Sequence, residues 1–316
     1  MSASGNKINY NIRTAKSVER RMVMDVVKSL LMYDDIKKCR YIGFGSPYFT
    51  DFRLYHKELH ISNMLSFEID ESQRRRVEFN KPFKCINIKI GKSTNLLPYI
   101  DWTEYSKDFI WMDYDNELDY SMFLDCETIF RNVQAGSIYL ITCNKQLSKY
   151  SENIDIFNED FGDIAPIDIN NKHFTGESDF STIRRMFLNK IGETLSYRNS
   201  GLPENEKLVF RQLFFFTYKD GAPMVCFGGL LDFLNSGYSL KKRDLDKYDF
   251  IRTGEDRYII DPPNLTYKEI HLLNSYLPDS PNRFENKKSI SFIPKKELTK
   301  YRKLYKYLPN YMDVLS

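Results

Sequence analysis

The sequence predicts an α/β fold: five parallel strands with helices on both faces, closed by an antiparallel hairpin and followed by a mostly helical C-terminal appendage. Three observations predict it. Between residues 14 and 144, near-continuous apolar runs alternate with helix-length amphipathic segments, as expected of strands buried on both faces. Farther on, Lys219-Asp220-Gly221 separates two long apolar stretches, 208–218 and 222–231, which reads as a hairpin. The third is Arg40-Tyr41-Ile42-Gly43-Phe44-Gly45-Ser46-Pro47, an apolar strand running into a tight turn. Gly43 and Gly45 carry no Cβ, so the backbone there can approach a ligand. In a parallel sheet that turn lies at the carboxyl end of the first strand, where ligands bind.

The elements follow in order. Residues 1–12 are polar and read as loose. An amphipathic helix starts at Thr14, with Val18, Met22, Val26 and Leu30 every four residues and Lys16, Glu19, Arg20, Asp25 and Lys28 on the other face. After the glycine turn come a helix over 52–59, a strand over 63–68 ending on Glu68, and a polar helix over 70–80 with Arg74, Arg75 and Arg76. A third strand, 84–90, ends at Gly91-Lys92-Ser93, and a fourth, 109–112, ends at Asp113-Tyr114-Asp115. A helix over 120–132 and a fifth strand, 137–142, ending at Cys143-Asn144, complete the series. Residues 145–178 read as a polar insertion or lid, 180–197 as a helix. Residues 1–236 then make the sheet domain and 237–316 the helical extension, with a cap at Asn264 or Thr266 and a basic, tyrosine-bearing helix over 295–308.

Composition narrows the classes. In 316 residues, 42% are hydrophobic, enough for a substantial core, and the net charge of +3 neither demands nor excludes nucleic acid. The five cysteines, Cys39, Cys85, Cys126, Cys143 and Cys226, form no C-x-x-C pair, which fits buried thiols in a reducing compartment. Residues 1–13 lack the apolar core of a signal peptide. No apolar run reaches the ~20 residues of a membrane span. A cytoplasmic protein that does not enter membranes is the expectation.

The strand ends carry the chemistry. Glu68 ends the second strand about 25 residues beyond the glycine turn, where a carboxylate can accept from both hydroxyls of a nucleoside ribose. Gly91-Lys92-Ser93 would flank the base. Asp113 and Asp115 stand where a transferred group would lie; capping of the next helix is the competing reading. The histidines, His56, His60, His173 and His271, are too dispersed to suggest a metal cluster.

In the order of these elements the chain resembles the Rossmann-like class I S-adenosylmethionine-dependent methyltransferases over about residues 14–233. Gly43-Phe44-Gly45-Ser46 matches the family's glycine loop, and Phe67-Glu68-Ile69-Asp70 its second-strand motif. The resemblance implies S-adenosylmethionine as cofactor, held by Gly43, Gly45, Ser46, Glu68, Ser93 and Asp113. It implies methyl transfer to an oxygen or nitrogen, with Asp113, Asp115 and Asn144 as catalytic candidates. The stretches 108–116 and 136–144 are similar to the small-molecule O-methyltransferase branch. The block Ala15-Lys16-Ser17-Val18-Glu19-Arg20 with the Gly-Phe-Gly-Ser turn resembles a set of bacterial proteins named as O-methyltransferases, some encoded near phage-defence genes. The chain departs from the pattern at Ser46-Pro47, where a third glycine is common, and at Cys143, where the magnesium-dependent branch has a carboxylate. Magnesium takes oxygen ligands, so no metal is expected. Two further readings stay open. One is a nucleoside-binding protein or partner subunit without chemistry, alone or as a homo-oligomer. The other is nucleic-acid modification, with Arg74, Arg75, Arg76, Arg184, Arg185 and the basic stretch 295–306 tracking phosphates and its tyrosines stacking on bases, set against a tail that simply packs those tyrosines on the main body.

Overall fold

A computed structural model describes residues 13–31, 38–174, 176 and 178–309; the stretch 1–12, expected to be loose, lies outside them. The strands are β1 (Cys39–Phe44), β2 (Met64–Glu68), β3 (Ile86–Ile90), β4 (Lys107–Glu117), β5 (Ile138–Asn144), β6 (Leu208–Asp220), β7 (Ala222–Phe233) and β8 (Tyr258–Ile260). They form one sheet in the order β3-β2-β1-β4-β5-β7-β6-β8. The pairs among β1 to β5 are parallel, and β7 runs antiparallel to both β5 and β6. The closing hairpin is therefore as expected. The order reverses between β1 and β4, which opens a crevice at their carboxyl ends.

Side chains alternate along each strand, so the sheet has two cores. On one face Tyr41, Phe109, Trp111, Leu140, Phe214 and Phe216 meet α1 (Thr14–Leu31) and α2 (Thr50–Leu59). On the other, Ile42, Ile110, Met112, Tyr139, Ile141 and Phe215 form the second core. Between them in sequence lie the short α3 (Arg74–Asn80) and α4 (Ser93–Leu96). That second core is closed by α5 (Tyr120–Asn132), by α6 (Ile154–Phe161) and by α7 (Ser178–Arg198). The extension adds α8 (Tyr267–Asn274), α9 (Pro281–Glu285) and α10 (Lys295–Leu304). Among the described residues no helix is long and apolar enough to cross a membrane.

Three features add to these expectations. The polar stretch 145–178 contains α6, and its Tyr150, Phe157, Phe161 and Phe174 are buried in the α5–α7 core. Ring contacts among these four hold it down, with Phe157 and Phe161 one helical turn apart. Inside the stretch expected to be mostly helical, Tyr258–Ile260 forms β8, parallel to β6. The charged side of α1 does not face water: Lys16 is 1% exposed, Glu19 0% and Arg20 4%. The first turns of α1 cross the carboxyl ends of the strands, where those charges find partners.

Two local details position the parts. Thr266, one of the two cap candidates, forms a capping box with Glu269 at the start of α8. At the β6–β7 turn, where Gly221 takes φ 97°, Asp220 accepts the backbone N–H groups of Ala15 at 3.2 Å and Lys16 at 2.8 Å. The hairpin thus satisfies orphan donors at the N-terminus of α1 and fixes that end over the sheet. In the basic tail, Tyr301 is buried and donates to Asn274 at 2.5 Å, Tyr307 sits edge-on to Phe250 at 5.6 Å, and Lys300 pairs with Asp261 at 2.8 Å. Both rings pack against apolar residues of the chain.

Candidate active site

One cleft at the carboxyl ends of β1, β2, β3 and β4 is lined by Arg20, Gly45, Ser46, Asp51, Glu68, Ile69, Ser93, Asp113, Tyr114, Asp115 and Asp119, among others. The glycine turn lies along it, and the protein packed behind the turn also requires its glycines. A Cβ on Gly45 would lie 2.5 Å from both the Phe49 ring and Ser66 Oγ, and one on Gly43 would lie 2.7 Å from the Tyr41 hydroxyl and 3.2 Å from the Trp111 carbonyl. Both positions exclude side chains because of the protein behind them. Of the two, only Gly45 lines the cleft. Its N–H donates to Ser66 Oγ at 3.0 Å, tying the turn to β2.

Ser46 stands where a third glycine is common and adopts φ 48°, a left-handed conformation that costs a non-glycine residue strain. Its backbone N–H faces the Glu68 carboxylate and acts to lower its titration, so the strained turn and the acid are coupled. Glu68 Oε1 is buried without a hydrogen-bond partner. Burial raises its carboxyl from the usual value near 4.5 to about 7, against the lowering by the Ser46 N–H. An unpartnered carboxylate oxygen at the end of β2 matches a group that brings hydroxyl donors, as a ribose does.

A sign follows. Between pH 4.5 and 7 the folded chain holds a proton on Glu68 that the unfolded chain releases. This group's stability is fully present below 4.5 and is lost as pH rises through 7. Glu68→Gln is therefore expected to stabilise the free protein at pH 8 by about 1–3 kcal/mol, the gain vanishing toward pH 4.5. The same change is expected to weaken S-adenosylmethionine binding roughly ten- to a hundredfold, since a charged acceptor is lost. Thermal melts across this pH range and calorimetric titration read the two effects; unchanged affinity would remove Glu68 from the site.

Asp113 stands at the last regular position of β4, opposite Thr142, before the register shifts. It does not cap α5; Asp119 does, accepting from the Ser121 N–H at 2.8 Å. Asp113 Oδ1 accepts from Lys16 Nζ at 2.6 Å. Lys16 Nζ also stands 2.8 Å from Glu19 Oε2 and 4.4 Å from the centre of the Trp111 ring. Arg20 Nε donates to Asp51 Oδ1, and Arg13 lies 3.5 Å from Asp115. Arg13, Lys16 and Arg20 fall at i, i+3 and i+7 on one side of α1. That side lays three cations against three acids of the cleft. Attraction to Asp113, Glu19 and Asp51 outweighs burial and holds the Lys16 ammonium charged well above its usual range. Burial raises the Glu19 carboxyl despite Lys16 beside it.

The other sequence candidates separate. Ser93 lines the cleft, but its hydroxyl donates to Asp125 Oδ2 at 2.5 Å. Asn144 is not among the lining residues; its side chain accepts from the Gln146 N–H at 3.1 Å. Cys143 is buried in the α5–α7 core, where desolvation raises its thiol. Among the described residues, no three His, Cys, Asp or Glu side chains are grouped as metal ligands. Sequence reasoning missed Lys16, Arg20, Asp51 and Asp125. The helical spacing of Arg13, Lys16 and Arg20 was the available signal.

A sheet in this order with β7 alone reversed, a glycine turn after β1 and an acid after β2 is the arrangement of the class I S-adenosylmethionine-dependent methyltransferases. The chain belongs to the family described as "Putative O-methyltransferase", whose match spans residues 8–316. No curated protein matches it. Solved structures similar to it include an S-adenosylmethionine-dependent methyltransferase from Mesorhizobium loti, 13% identical over 37% of this chain and 51% of that one, TM-score 0.29. A probable spermidine synthase from Corynebacterium glutamicum is 14% identical over 50% of this chain and 57% of that one, TM-score 0.36. Trm1 from Pyrococcus horikoshii with S-adenosyl-L-methionine is 12% identical over 72% of this chain and 57% of that one, TM-score 0.43. The chain thus spans between half and three-fifths of the length of these three.

Proposed function

We propose that the chain transfers the methyl group of S-adenosylmethionine to a hydroxyl oxygen of an acceptor that enters beside Asp113 and Asp115. The observation that carries this reading is the meeting of Glu68 and Asp113 in one cleft, on either side of the glycine turn. The cofactor supplies an electrophilic methyl on a sulfonium. Glu68 takes the ribose hydroxyls, and Ser46 fixes its carboxylate. Arg20, held by Asp51, is the cation at the turn and suits the carboxylate at the cofactor's amino-acid end. For the acceptor, a C–O bond forms as the C–S bond breaks, and the hydroxyl proton must leave. Asp113 lines the cleft and Lys16 occupies its Oδ1, so in this reading Oδ1 orients the group and Oδ2 receives the proton.

The test is two measurements on the full chain. Calorimetry with S-adenosylmethionine is expected to show micromolar binding. Incubation with methyl-labelled cofactor is expected to label hydroxyl-bearing small molecules in a mixed panel that also holds amines, RNA and DNA. Label confined to amines or nucleic acid would replace the acceptor assignment. Binding without label in any acceptor would favour a nucleoside-binding protein without chemistry.

A further inference from the structure

A cavity of about 280 Å³ lies where the end of α10 meets the segments 247–249 and 277–279. None of its lining residues also lines the active-site cleft. Its cations are Lys247, Arg302, Lys303 and Lys306, and its acids are Asp249 and Asp279. Most of this charge is already matched. Lys247 pairs with Asp244, Asp279 lies 3.2 Å from Lys287, and Arg302 Nε stands 3.5 Å from Glu285 Oε1. What remains is Lys303 and Lys306 against Asp249. Among the described residues no carboxylate lies within 4.0 Å of either ammonium group.

Lys303 and Lys306 are both exposed and stand three residues apart, a spacing at which like charges repel. The negative end of the helix dipole accounts for Lys303, in the last turn of α10. Lys306 lies beyond Tyr305, the residue that caps the helix. Lys303 Nζ lies 4.7 Å from the centre of the Tyr258 ring and Lys306 Nζ 6.0 Å from that of Tyr305, so their nearest stabilising neighbours are phenol rings and not acids. Tyr248, Tyr305 and Tyr307 complete the walls. Tyr248 is fixed there, its hydroxyl donating to the Asp25 carbonyl on α1 at 3.1 Å.

We propose that this cavity is a second binding site, which takes the phosphate of a nucleotide, free or within a single strand of nucleic acid. A phosphate monoester brings about two negative charges and three acceptor oxygens, and a strand brings successive charges. Either suits a pair of ammonium groups that no acid holds. The tyrosines beside them suit the attached base, since every base has a face that stacks on an aromatic ring.

The experiment titrates uridine 5′-monophosphate, uridine and an oligouridylate into the full chain by calorimetry. S-adenosylhomocysteine is present throughout, so that the active-site cleft does not take up the nucleotide. The monophosphate is expected to bind, with uridine weaker by about tenfold or more, because the charge-assisted contacts are made to the phosphate. Lys303→Gln combined with Lys306→Gln changes two exposed side chains, so the thermal melt of the free protein should stay as it is while affinity for the monophosphate falls about tenfold or more. The arms distinguish the two sources. A strand as the ligand gives tighter binding of the oligouridylate, weakening steeply with added salt. A free nucleotide as the ligand gives a monophosphate bound at least as tightly as the strand. Uridine bound as tightly as its monophosphate overturns the inference. So does full affinity for both phosphates in the double variant, or no binding of either at millimolar concentration.

Discussion

Asp113→Asn is expected to slow methyl transfer by roughly 10²- to 10⁴-fold, the range for loss of a general base, with cofactor affinity changed about threefold or less. The geometry makes the two readouts separable. Asn keeps a carbonyl oxygen that can accept from Lys16 Nζ, so the ammonium stays anchored near its 2.6 Å position. The atom that changes is the one Lys16 does not hold, where a proton acceptor becomes an amide donor. The competing role for Asp113 is to hold the cofactor's ammonium group. That role predicts the opposite split: affinity falls strongly, while the rate of the bound complex falls little. Single-turnover rates with saturating cofactor, beside calorimetric affinities, distinguish the two. An unchanged rate with unchanged affinity would dismiss Asp113 from both.

Much of this site could be read from the chain because its parts sit at strand ends. Strands covered on both faces appear as apolar runs, and the first polar residue after each run marks the carboxyl edge of the sheet. Glu68, Ser93 and Asp113 were legible for that reason. What escaped was polarity turned inward. Lys16, Glu19 and Arg20 look like the wet side of an amphipathic helix, since periodicity separates apolar from charged residues without saying what the charged side meets. Only tertiary structure brings them to Asp113 and Asp51. Asp125 was hidden in the same way, as one acid in a helix. Three residues of β8 are too few to show a strand's alternation, and β8 exists because β6 offers an open edge. In 145–178 the acids between the aromatics masked Phe157 and Phe161, whose spacing of one turn is a helical signal.

The inward charge has an energetic consequence, and Lys16→Met tests it. Met nearly preserves length and apolar contact but removes the cation between Asp113 and Glu19 and above the Trp111 ring. Glu19 is then a fully buried carboxylate without its compensating charge, since its side chain is 0% exposed. Breaking such a pair by deleting one partner costs about 3–5 kcal/mol, so Lys16→Met should lose that much stability in urea unfolding at pH 8. The direction with pH is fixed. Removing Lys16 takes away the influence that lowers the Glu19 carboxyl, so the variant's Glu19 titrates higher still. The folded variant then binds a proton that its unfolded chain does not, and its deficit narrows as pH falls toward 5. Lys16→Met combined with Glu19→Gln removes both charges and should recover a large part of the loss, a coupling read from the double-mutant cycle. Were the single and double variants equally unstable, Glu19 would not be the stranded charge, and α1 would owe its place to Asp220 and apolar packing instead. A deficit that narrows with acid and is rescued by Glu19→Gln would show that the helix fixing Asp113 is held by the same ion network that orients it, so stability and catalytic geometry would change together along this surface.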